Sequence, residues 1–430
     1  MIKNGNSNYR WAVVAMLWWI SVFNYADRQA INSVFPLLEK ELGLSMVQLG
    51  LLGSAFAWVY GLSGFFAGFV VDRISRKKAI LGGLYTWSII CMSTAFSRGF
   101  NMLFALRAAE GLGETIYYPA SMSMVSDYHG KETRSRAIGL HQTSVYAGTI
   151  AGGFFAGKIA ELYGWRWSFI VFGGLGVLLG FVLNKFLREP RRGQADLAEH
   201  EANSASLNLA QFFQLLKRTP TMLCLMGAFM CSNFVAVVLL TWMPKFLYDR
   251  FHMGLAVAGL TATIFVQLAS VLGSITGGWL ADFLRQKTPR GRILVQATGV
   301  LCGAPFVAWC GMTRSVMALI IALTCWGFCK GMYDANIFAS LFDVVRPEAR
   351  GTAAGFLNSV GWLGGGGSAP VLIGWIAKDH GLSAGITAAS TVYLLACALL
   401  VVAAVFFVKK DSERMRASML VEHTERFPVV

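Results

Sequence analysis

Apolar residues fall into twelve long runs along the chain, separated by shorter polar segments. A helix needs roughly 20 apolar residues to cross a bilayer, and each run is long enough. The runs are continuous, whereas the strands of a membrane barrel alternate polar and apolar residues. The pattern therefore predicts an all-α membrane protein with twelve transmembrane helices. The predicted spans cover residues 11–35, 47–71, 79–97, 100–126, 135–162, 166–187, 219–247, 256–283, 292–312, 315–342, 350–376 and 383–408.

The composition supports this class and argues against an enzyme. Only 14% of the residues are charged and 55% are hydrophobic, whereas about 25% of a soluble domain is charged. The sequence has no nucleotide-binding GxxxxGK[ST] loop and no soluble catalytic domain. The eight cysteines lie mostly inside apolar runs and form no CxxC pair, so we expect neither a disulfide framework nor a metal site.

Positive charge is concentrated in alternate loops of the chain, which has a formal net charge of +14. Loops rich in Lys and Arg face the cytoplasm, so the sequence predicts that these loops and both termini are cytoplasmic. The charge then matches anionic lipid headgroups, and we do not expect a nucleic-acid partner. The basic loop residues are Arg73, Arg76, Lys77, Lys78, Lys131, Arg134, Arg136, Arg188, Arg191, Arg192, Lys217, Arg218, Arg285, Lys287, Arg290, Arg292, Arg346 and Arg350.

One long polar segment, residues 188–218, interrupts the apolar pattern and divides the chain into halves. We predict a six-helix bundle over residues 1–187, a cytoplasmic linker over 188–218, a second six-helix bundle over 219–408 and a cytoplasmic tail over 409–430. The amphipathic pattern of residues 208–217 predicts a short helix that lies along the membrane surface.

The two halves of the chain repeat one another. KETRSRAIGLHQTS (131–144) leads into the fifth span and matches PEARGTAAGFLNSV (347–360), which leads into the eleventh. GFVVDR (68–73) after the second span likewise matches GWLADF (278–283) after the eighth. Repeats of this kind are typical of carriers whose two bundles rock about a site near the bilayer midplane. The matched pairs of the first alignment are Glu132 with Glu348, Arg134 with Arg350, Ala137 with Ala353 and Gly139 with Gly355.

The loop between the second and third spans carries a family signature. GFVVDRISRKKAI (68–80) resembles the Gly-x-x-x-Asp-Arg-x-Gly-Arg-Lys/Arg loop of the major facilitator superfamily, with Ser75 in place of a glycine. Arg107 and Gly111 resemble that family's fourth-span signature. The resemblance implies the major facilitator fold, two six-helix bundles that usually act as a monomer, and a gating latch at this loop; a loop that only marks topology is the alternative. The matching residues are Gly68, Asp72, Arg73, Arg76 and Lys77.

Several charged residues lie deep inside predicted spans. A charge at the bilayer centre costs at least about 2.5–3.5 kcal/mol on insertion scales, so such residues usually face a pore and serve function. Lys330 and Asp334 are four residues apart in the tenth span. They either neutralise each other within the helix or place Lys330 in the substrate cavity, where it would hold an anion together with an arginine of the first half. The deep charges are Asp27, Arg28, Arg107, Glu110, Glu114, Lys330 and Asp334.

The first and fourth spans resemble those of the anion:cation symporter family, which includes permeases for sugar acids. The resemblance rests on NYADR, on Arg107 and Glu114 seven residues apart, and on EGLGETIYYPASMSMVSDYHGKETRSRAIG and YGWRWSFIVFG. It implies that Asp27 and Glu114 are protonation sites. It also implies that Arg28 and Arg107 pair with them or with the substrate carboxylate. Glu110 is then either a second proton site or the structural partner of Arg107.

Coupling in such a site follows from competition for an arginine. If an anionic substrate takes the arginine, the carboxylate that loses its partner binds a proton more readily. Proton binding and anion binding then favour each other, as symport requires. The alternative is a set of permanent salt bridges that only hold helices together. Tyr25, Tyr118 and Asn358 are further candidates for contact with substrate, although polar residues in spans also join helices to one another.

The sequence therefore predicts a secondary active transporter that carries a small organic anion, a sugar acid or other carboxylate, together with protons. We expect the proton gradient to be its energy source, with no cofactor, and its location to be a bacterial cytoplasmic (inner) membrane. One alternative is a Spinster-like carrier of lysophospholipids, because Spinster proteins share NY-x-DR, DR-x-x-RK and a segment similar to GSAPVLIG (367–374). A proton-driven exporter of drugs or metabolites is another. The deep charges in both halves argue against a transporter-like receptor.

Overall fold

The computed structural model describes residues 6–190, 209–346, 349–415 and 417, and the regular elements in these residues are helices. Two π-helical segments, Gly361–Gly366 and Ala403–Phe407, follow the last two α-helices. The α-helices are α1 (Asn6–Ser33), α2 (Phe35–Leu42), α3 (Met46–Arg73), α4 (Arg76–Thr94), α5 (Phe100–Thr115), α6 (Tyr117–Tyr128), α7 (Lys131–Tyr163), α8 (Trp165–Phe186), α9 (Leu209–Arg218), α10 (Pro220–Phe251), α11 (Leu255–Lys287), α12 (Gly291–Met312), α13 (Val316–Asp334), α14 (Ile337–Phe342), α15 (Arg350–Val360) and α16 (Gly367–Val402).

These helices supply twelve spans, which confirms the predicted fold class. The fourth span is broken into α5 and α6 at Ile116, and the tenth is broken into α13 and α14. The eleventh and twelfth spans run on through α16 and are separated by a turn at Gly381, whose φ of +77° lies in the left-handed region that glycine adopts readily. The short helix α9 occupies the place where the linker pattern predicts a helix.

Length and apolar character alone identify seven membrane-spanning stretches among the described residues. One of them, Arg350–Met415, contains the eleventh and twelfth spans together. The first, third, fourth and fifth spans do not meet this measure, and of these the first and fourth carry deep charges such as Asp27 and Glu114.

Contacts between residues divide the chain into two compact units, and the first unit contains segments from both sequence halves. The domain boundaries read from the sequence stay a prediction. The first unit consists of Met1–Ala202, Val238–Ile264 and Gly367–Leu382, and the second of Asn203–Val237, Phe265–Gly366 and Ser383–Val430.

Helices α3 and α5 approach each other closely at Gly111. A Cβ atom at this position would lie 2.6 Å from the carbonyl oxygen of Phe56, so a larger residue would push the two helices apart. Small residues permit this kind of backbone approach between membrane helices. The contact brings Phe56 and Tyr60 of α3 to the charged face of α5.

The second unit contains the π-helical segment Gly361–Gly366, which continues α15. The Asn233 side-chain amide of α10 donates a hydrogen bond of 2.8 Å to the carbonyl of Gly361, at the start of the segment. Three glycines of the glycine run, residues 364–367, lie in this segment, which forms a widened helical turn of six residues.

The sequence repeat extends to ion pairs at matching positions of the two halves. In the first unit, Arg76 at the start of α4 pairs with Asp127 at the end of α6, with 2.9 Å between Nε and Oδ2. In the second unit, Arg292 at the start of α12 pairs with Asp343 just beyond α14, with 2.9 Å between Nη1 and Oδ1. Each half thus uses one arginine to join its third and fourth spans.

His129, between α6 and α7, gives the protein a pH-dependent stability. Its ring nitrogens lie 3.1 Å from the hydroxyl of Thr133 and 3.1 Å from the carbonyl of Arg10, and burial lowers the pKa of His129. In the unfolded chain this histidine takes up a proton near pH 6.5, whereas in the folded protein it stays neutral at that pH. Protonation therefore favours the unfolded state, and the folded protein loses stability as the pH falls below about 6.5.

When the pH is lowered from 7.5 to 5.5, we therefore expect the melting temperature of His129→Gln to fall by about 1–3 °C less than that of the wild-type protein. His380→Gln is the matched control, because His380 is exposed. Equal pH dependence in all three proteins would contradict the assignment.

Candidate functional site

An ion pair between Arg28 of α1 and Glu114 of α5 forms the centre of the site. The two side chains are 12% and 0% exposed. Three rings surround the guanidinium: its carbon lies 4.8 Å from the ring centroid of Tyr25, 4.8 Å from that of Phe56 and 4.6 Å from that of Tyr60. Rings at this distance attract a cation and hold it in place. Helix spacing supplies the rings, because Tyr25 precedes Arg28 by one turn of α1 and Phe56 precedes Tyr60 by one turn of α3.

A second ion pair joins Arg107 and Glu110 within α5, and both side chains are buried. The Phe56 ring centroid lies 5.1 Å from the Arg107 guanidinium, so one ring contacts both arginines. The sequence spacing places Arg107, Glu110 and Glu114 on one face of a helix. The structure gives the two glutamates different arginines, one from the same helix and one from α1.

Asp27 lies beside these pairs without joining them. It is fully buried, and neither of its carboxylate oxygens has a hydrogen-bond partner among the described residues. Its charged neighbours are Glu110, Glu114 and Arg107. The Cys91 thiol of α4 is close to Asp27, but its hydrogen bond of 3.8 Å goes to the Phe169 carbonyl. A buried carboxylate without a donor is costly in its charged form.

The other predicted substrate contacts are spread over both units. Tyr25 is half-buried beside Arg28, and Tyr118, on α6, is 39% exposed. In the second unit, Asn358 is half-buried near the end of α15. Lys330 pairs with Asp334 within α13, as their spacing allows. Tyr25, Asp27, Arg28, Arg107, Glu110 and Glu114 are thus brought together in the first unit, with Tyr118 close to Tyr25. Lys330, Asp334 and Asn358 belong to the second unit.

The sequence did not mark Phe56, Tyr60 or Cys91 as site residues. All three lie in apolar runs where an aromatic ring or a thiol is unremarkable. The one available signal was Gly111, since a glycine in the middle of the charged span indicates close approach by a neighbouring helix. Identifying that neighbour as α3 required the structure.

The predicted latch residues lie at the end of α3 and the start of α4. Gly68 is in α3, Arg73 is exposed, and Arg76 is buried against Asp127. The side chain of Asp72 lies outside the part of the chain that the structure describes. The latch therefore stays a prediction.

Glu189 holds the start of α4. Its carboxylate accepts hydrogen bonds from the backbone N–H groups of Arg76 and Lys77, at 2.8 and 2.7 Å, and from the Ser75 hydroxyl at 2.7 Å. A carboxylate is well placed at a helix N-terminus, where N–H groups lack partners within the helix. Lys77 Nζ also donates to the carbonyl of Asn184 at 2.7 Å. These contacts fix the basic loop to the end of the sixth span within the first unit.

At the opposite end of the first unit, segments of both sequence halves are joined by a buried lysine. Lys245 of α10 is 2% exposed and pairs with Glu39 of α2 and, at 2.7 Å, with Asp249.

Helices α7 and α11 meet at Gly153 and Gly259 within the first unit. A Cβ atom on Gly259 would lie 2.0 Å from the Gly153 carbonyl oxygen, so this contact between the helices, the glycine contact, admits no side chain. The Ser33 hydroxyl donates to the same carbonyl at 3.2 Å.

No three His, Cys, Asp or Glu side chains within the described ranges are grouped so as to hold a metal ion.

Comparisons with known proteins identify relatives over most of the chain. Residues 17–369 match the family model described as Major Facilitator Superfamily. The chain is 26% identical to the hexuronate transporter of Bacillus subtilis, covering 87% of this chain and 89% of that one. It is 28% identical to human protein spinster homolog 1, covering 85% of this chain and 72% of the relative. A solved bacterial homologue of the human lysosomal transporter Spinster, inward-facing and unoccupied, superposes with a TM-score of 0.85 at 21% identity, over 94% of this chain and 98% of that one.

Proposed function

Because the chain belongs to the Major Facilitator Superfamily and is a transporter rather than an enzyme, we propose that it carries a small organic anion together with protons by alternating access. The proposed substrate is a sugar acid or another small carboxylate. The observation that carries the proposal is the cluster in the first unit, where two buried arginines pair with two carboxylates beside a third, unpartnered carboxylate. The protein is integral to the membrane, and its proposed location is a bacterial inner membrane with both termini in the cytoplasm.

Arg28 and Arg107 are the proposed anion-binding groups. A guanidinium binds a carboxylate through two parallel hydrogen bonds, and it stacks on aromatic rings without losing its donors. The rings around Arg28, one of which also contacts Arg107, fix the positions of both guanidinium groups before substrate binds. A hexuronate carries one such carboxylate, so the similarity to a hexuronate transporter supports this substrate class.

Charge balance in the cluster supplies the proposed coupling. With all five groups ionised, the three carboxylates exceed the two arginines by one charge; a neutral Asp27 restores balance. A substrate carboxylate that takes Arg107 displaces Glu110, and the displaced glutamate must then be protonated or remain buried without a partner. Each substrate carboxylate therefore brings one proton with it, and the two binding events favour each other.

Ligand-dependent melting of the purified protein tests the substrate class. We expect glucuronate to raise the melting temperature more at pH 5.5 than at pH 7.5, because a ligand that binds the folded state stabilises it, by about 2.7 kcal/mol at 100 times its Kd. Glucose, which lacks the carboxylate, is expected to have no effect.

Arg107→Gln should abolish the glucuronate shift. Arg166→Gln should keep it, because Arg166 forms an exposed pair with Glu41. A shift from lysophosphatidylcholine alone, unchanged in Arg107→Gln, would overturn the proposal in favour of a Spinster-like carrier, the candidate that the human relative supports.

A further inference from the structure

A groove between the start of α1 and the end of α8 lies apart from the arginine cluster and has no role in the proposed transport. Its volume is about 390 Å³. It lies at the end of the first unit that carries the basic loop residues, where the predicted first span begins and the sixth ends. The lining residues are Tyr9, Ala12, Met16, Leu183, Lys185, Phe186 and Arg188.

The walls of the groove are apolar and the rim is cationic. Tyr9, Ala12 and Met16 are spaced three and four residues apart, so they form one face of α1 about 10 Å long. Across from them, Phe186 is 59% exposed. Lys185 and Arg188 lie at the rim, and neither pairs with a carboxylate among the residues that the structure describes.

The rim is held in place by the backbone around Arg188. The Tyr9 hydroxyl donates to the Phe186 carbonyl at 2.7 Å and accepts from the Arg188 N–H at 2.8 Å. The Tyr128 hydroxyl donates to the Arg188 carbonyl at 3.0 Å, and the Arg188 guanidinium lies 5.0 Å from the Tyr9 ring centroid. The neighbouring carboxylate, Glu189, is turned toward the N-terminus of α4, so it does not neutralise the rim.

We propose that this groove binds an anionic glycerophospholipid of the membrane leaflet at the basic end of the protein. The phosphate would contact Lys185 and Arg188 at headgroup level, and one acyl chain would lie along Ala12, Met16 and Phe186. Two cations that pair with no carboxylate in residues 6–190, 209–346 and 349–415 complement a phosphate, and an apolar wall that continues into the hydrocarbon region complements a chain. Basic pockets between membrane helices at a cytoplasmic surface bind anionic headgroups on the same principle.

Native mass spectrometry of the purified, delipidated protein tests the proposal with phosphatidylglycerol and phosphatidylcholine of identical acyl chains. We expect wild-type protein to retain phosphatidylglycerol about 30-fold better, the preference expected for two cations at a membrane surface. Lys185→Gln with Arg188→Gln should reduce that preference to about threefold or less. Lys409→Gln with Lys410→Gln removes the same charge from exposed positions of the second unit and should leave the preference unchanged.

A second variant tests the apolar wall of the groove without changing its charges. Ala12→Trp fills the exposed wall and leaves both cations, and it should also lose phosphatidylglycerol if an acyl chain lies there. Melting temperature without added lipid verifies that each variant is folded. An undiminished preference in the Lys185/Arg188 variant, an equal loss in the Lys409/Lys410 control, or undiminished binding in Ala12→Trp would overturn the proposal. These outcomes do not depend on sugar-acid transport, because none of the substituted residues lies in the arginine cluster.

Discussion

Arg28→Gln is expected to lower proton-driven uptake of a sugar acid at least about 100-fold, since a charge-assisted carboxylate contact is lost and a buried partner is left alone. Glu114, the partner of Arg28, is fully buried. Removing one member of a buried ion pair destabilises a protein by about 3–5 kcal/mol, because the other charge stays uncompensated. Lost uptake in this variant alone would therefore not separate substrate binding from folding.

The double variant Arg28→Gln with Glu114→Gln distinguishes a loss of substrate binding from a loss of stability. It removes both charges together, so we expect the melting temperature to return most of the way to that of the wild-type protein. Uptake in proteoliposomes under an imposed pH gradient should stay lost, because the proposed anion-binding cation and one proposed proton acceptor are both absent. Uptake close to the wild-type rate in the double variant would show that the pair only joins α1 to α5.

An exposed pair supplies the control for this experiment. Arg166 and Glu41 lie 3.1 Å apart and both are 42% exposed. Exposed pairs contribute about 0–1 kcal/mol. Arg166→Gln with Glu41→Gln should therefore change neither the melting temperature nor the uptake appreciably.

Gly259→Leu is the second substitution with a large expected effect. Even a Cβ atom at this position would lie 2.0 Å from the Gly153 carbonyl oxygen, so a leucine cannot be accommodated while α7 and α11 remain in contact. Overpacking costs about 1–3 kcal/mol, which shifts a two-state equilibrium about 5- to 150-fold. We expect this shift to favour a conformation in which the glycine contact is open, and to lower the uptake rate by a similar factor.

Labelling of a cysteine at the contact distinguishes opening from unfolding. Ser33→Cys places a thiol where the serine is 1% exposed and bonds to Gly153. A membrane-impermeant maleimide should label position 33 faster in the Gly259→Leu background, as measured by mass spectrometry of the peptide, while glucuronate still binds. Gly174→Leu is the control, because open space surrounds Gly174. Unchanged labelling together with normal uptake would contradict the expectation.

The spans, the deep charges and the family were predictable because each has a local signal in the sequence. A run of apolar residues identifies a helix in lipid, and a charge inside such a run is conspicuous because it is costly. The family prediction is confirmed by the match over residues 17–369. The turn at Gly381 follows the polar residues Lys378, Asp379 and His380, between the predicted eleventh and twelfth spans, whereas the break at Ile116 had no comparable signal.

The pairing of the deep charges could not be read from spacing alone. Glu110 and Glu114 are both within one or two turns of Arg107, and spacing permits either pair. The structure pairs Glu114 with Arg28 of α1, which depends on how α1 packs beside α5 and not on any property of the fourth span. The same reason explains why Phe56 and Tyr60 were missed, because a ring in an apolar run acquires a role only from what packs against it.

The π-helical turn at Gly361–Gly366 has a consequence for how the chain tolerates insertions and deletions. A π turn contains more residues than an α turn, because its hydrogen bonds reach one residue further along the chain. Loss of one glycine from this turn would convert it into ordinary α-helix, and the side chains beyond it would keep their orientation. Elsewhere in a regular span, loss of one residue rotates everything that follows by about 100°. The glycine run thus marks a place where an ancestral eleventh span could gain or lose a residue without changing which faces of the helix meet their neighbours.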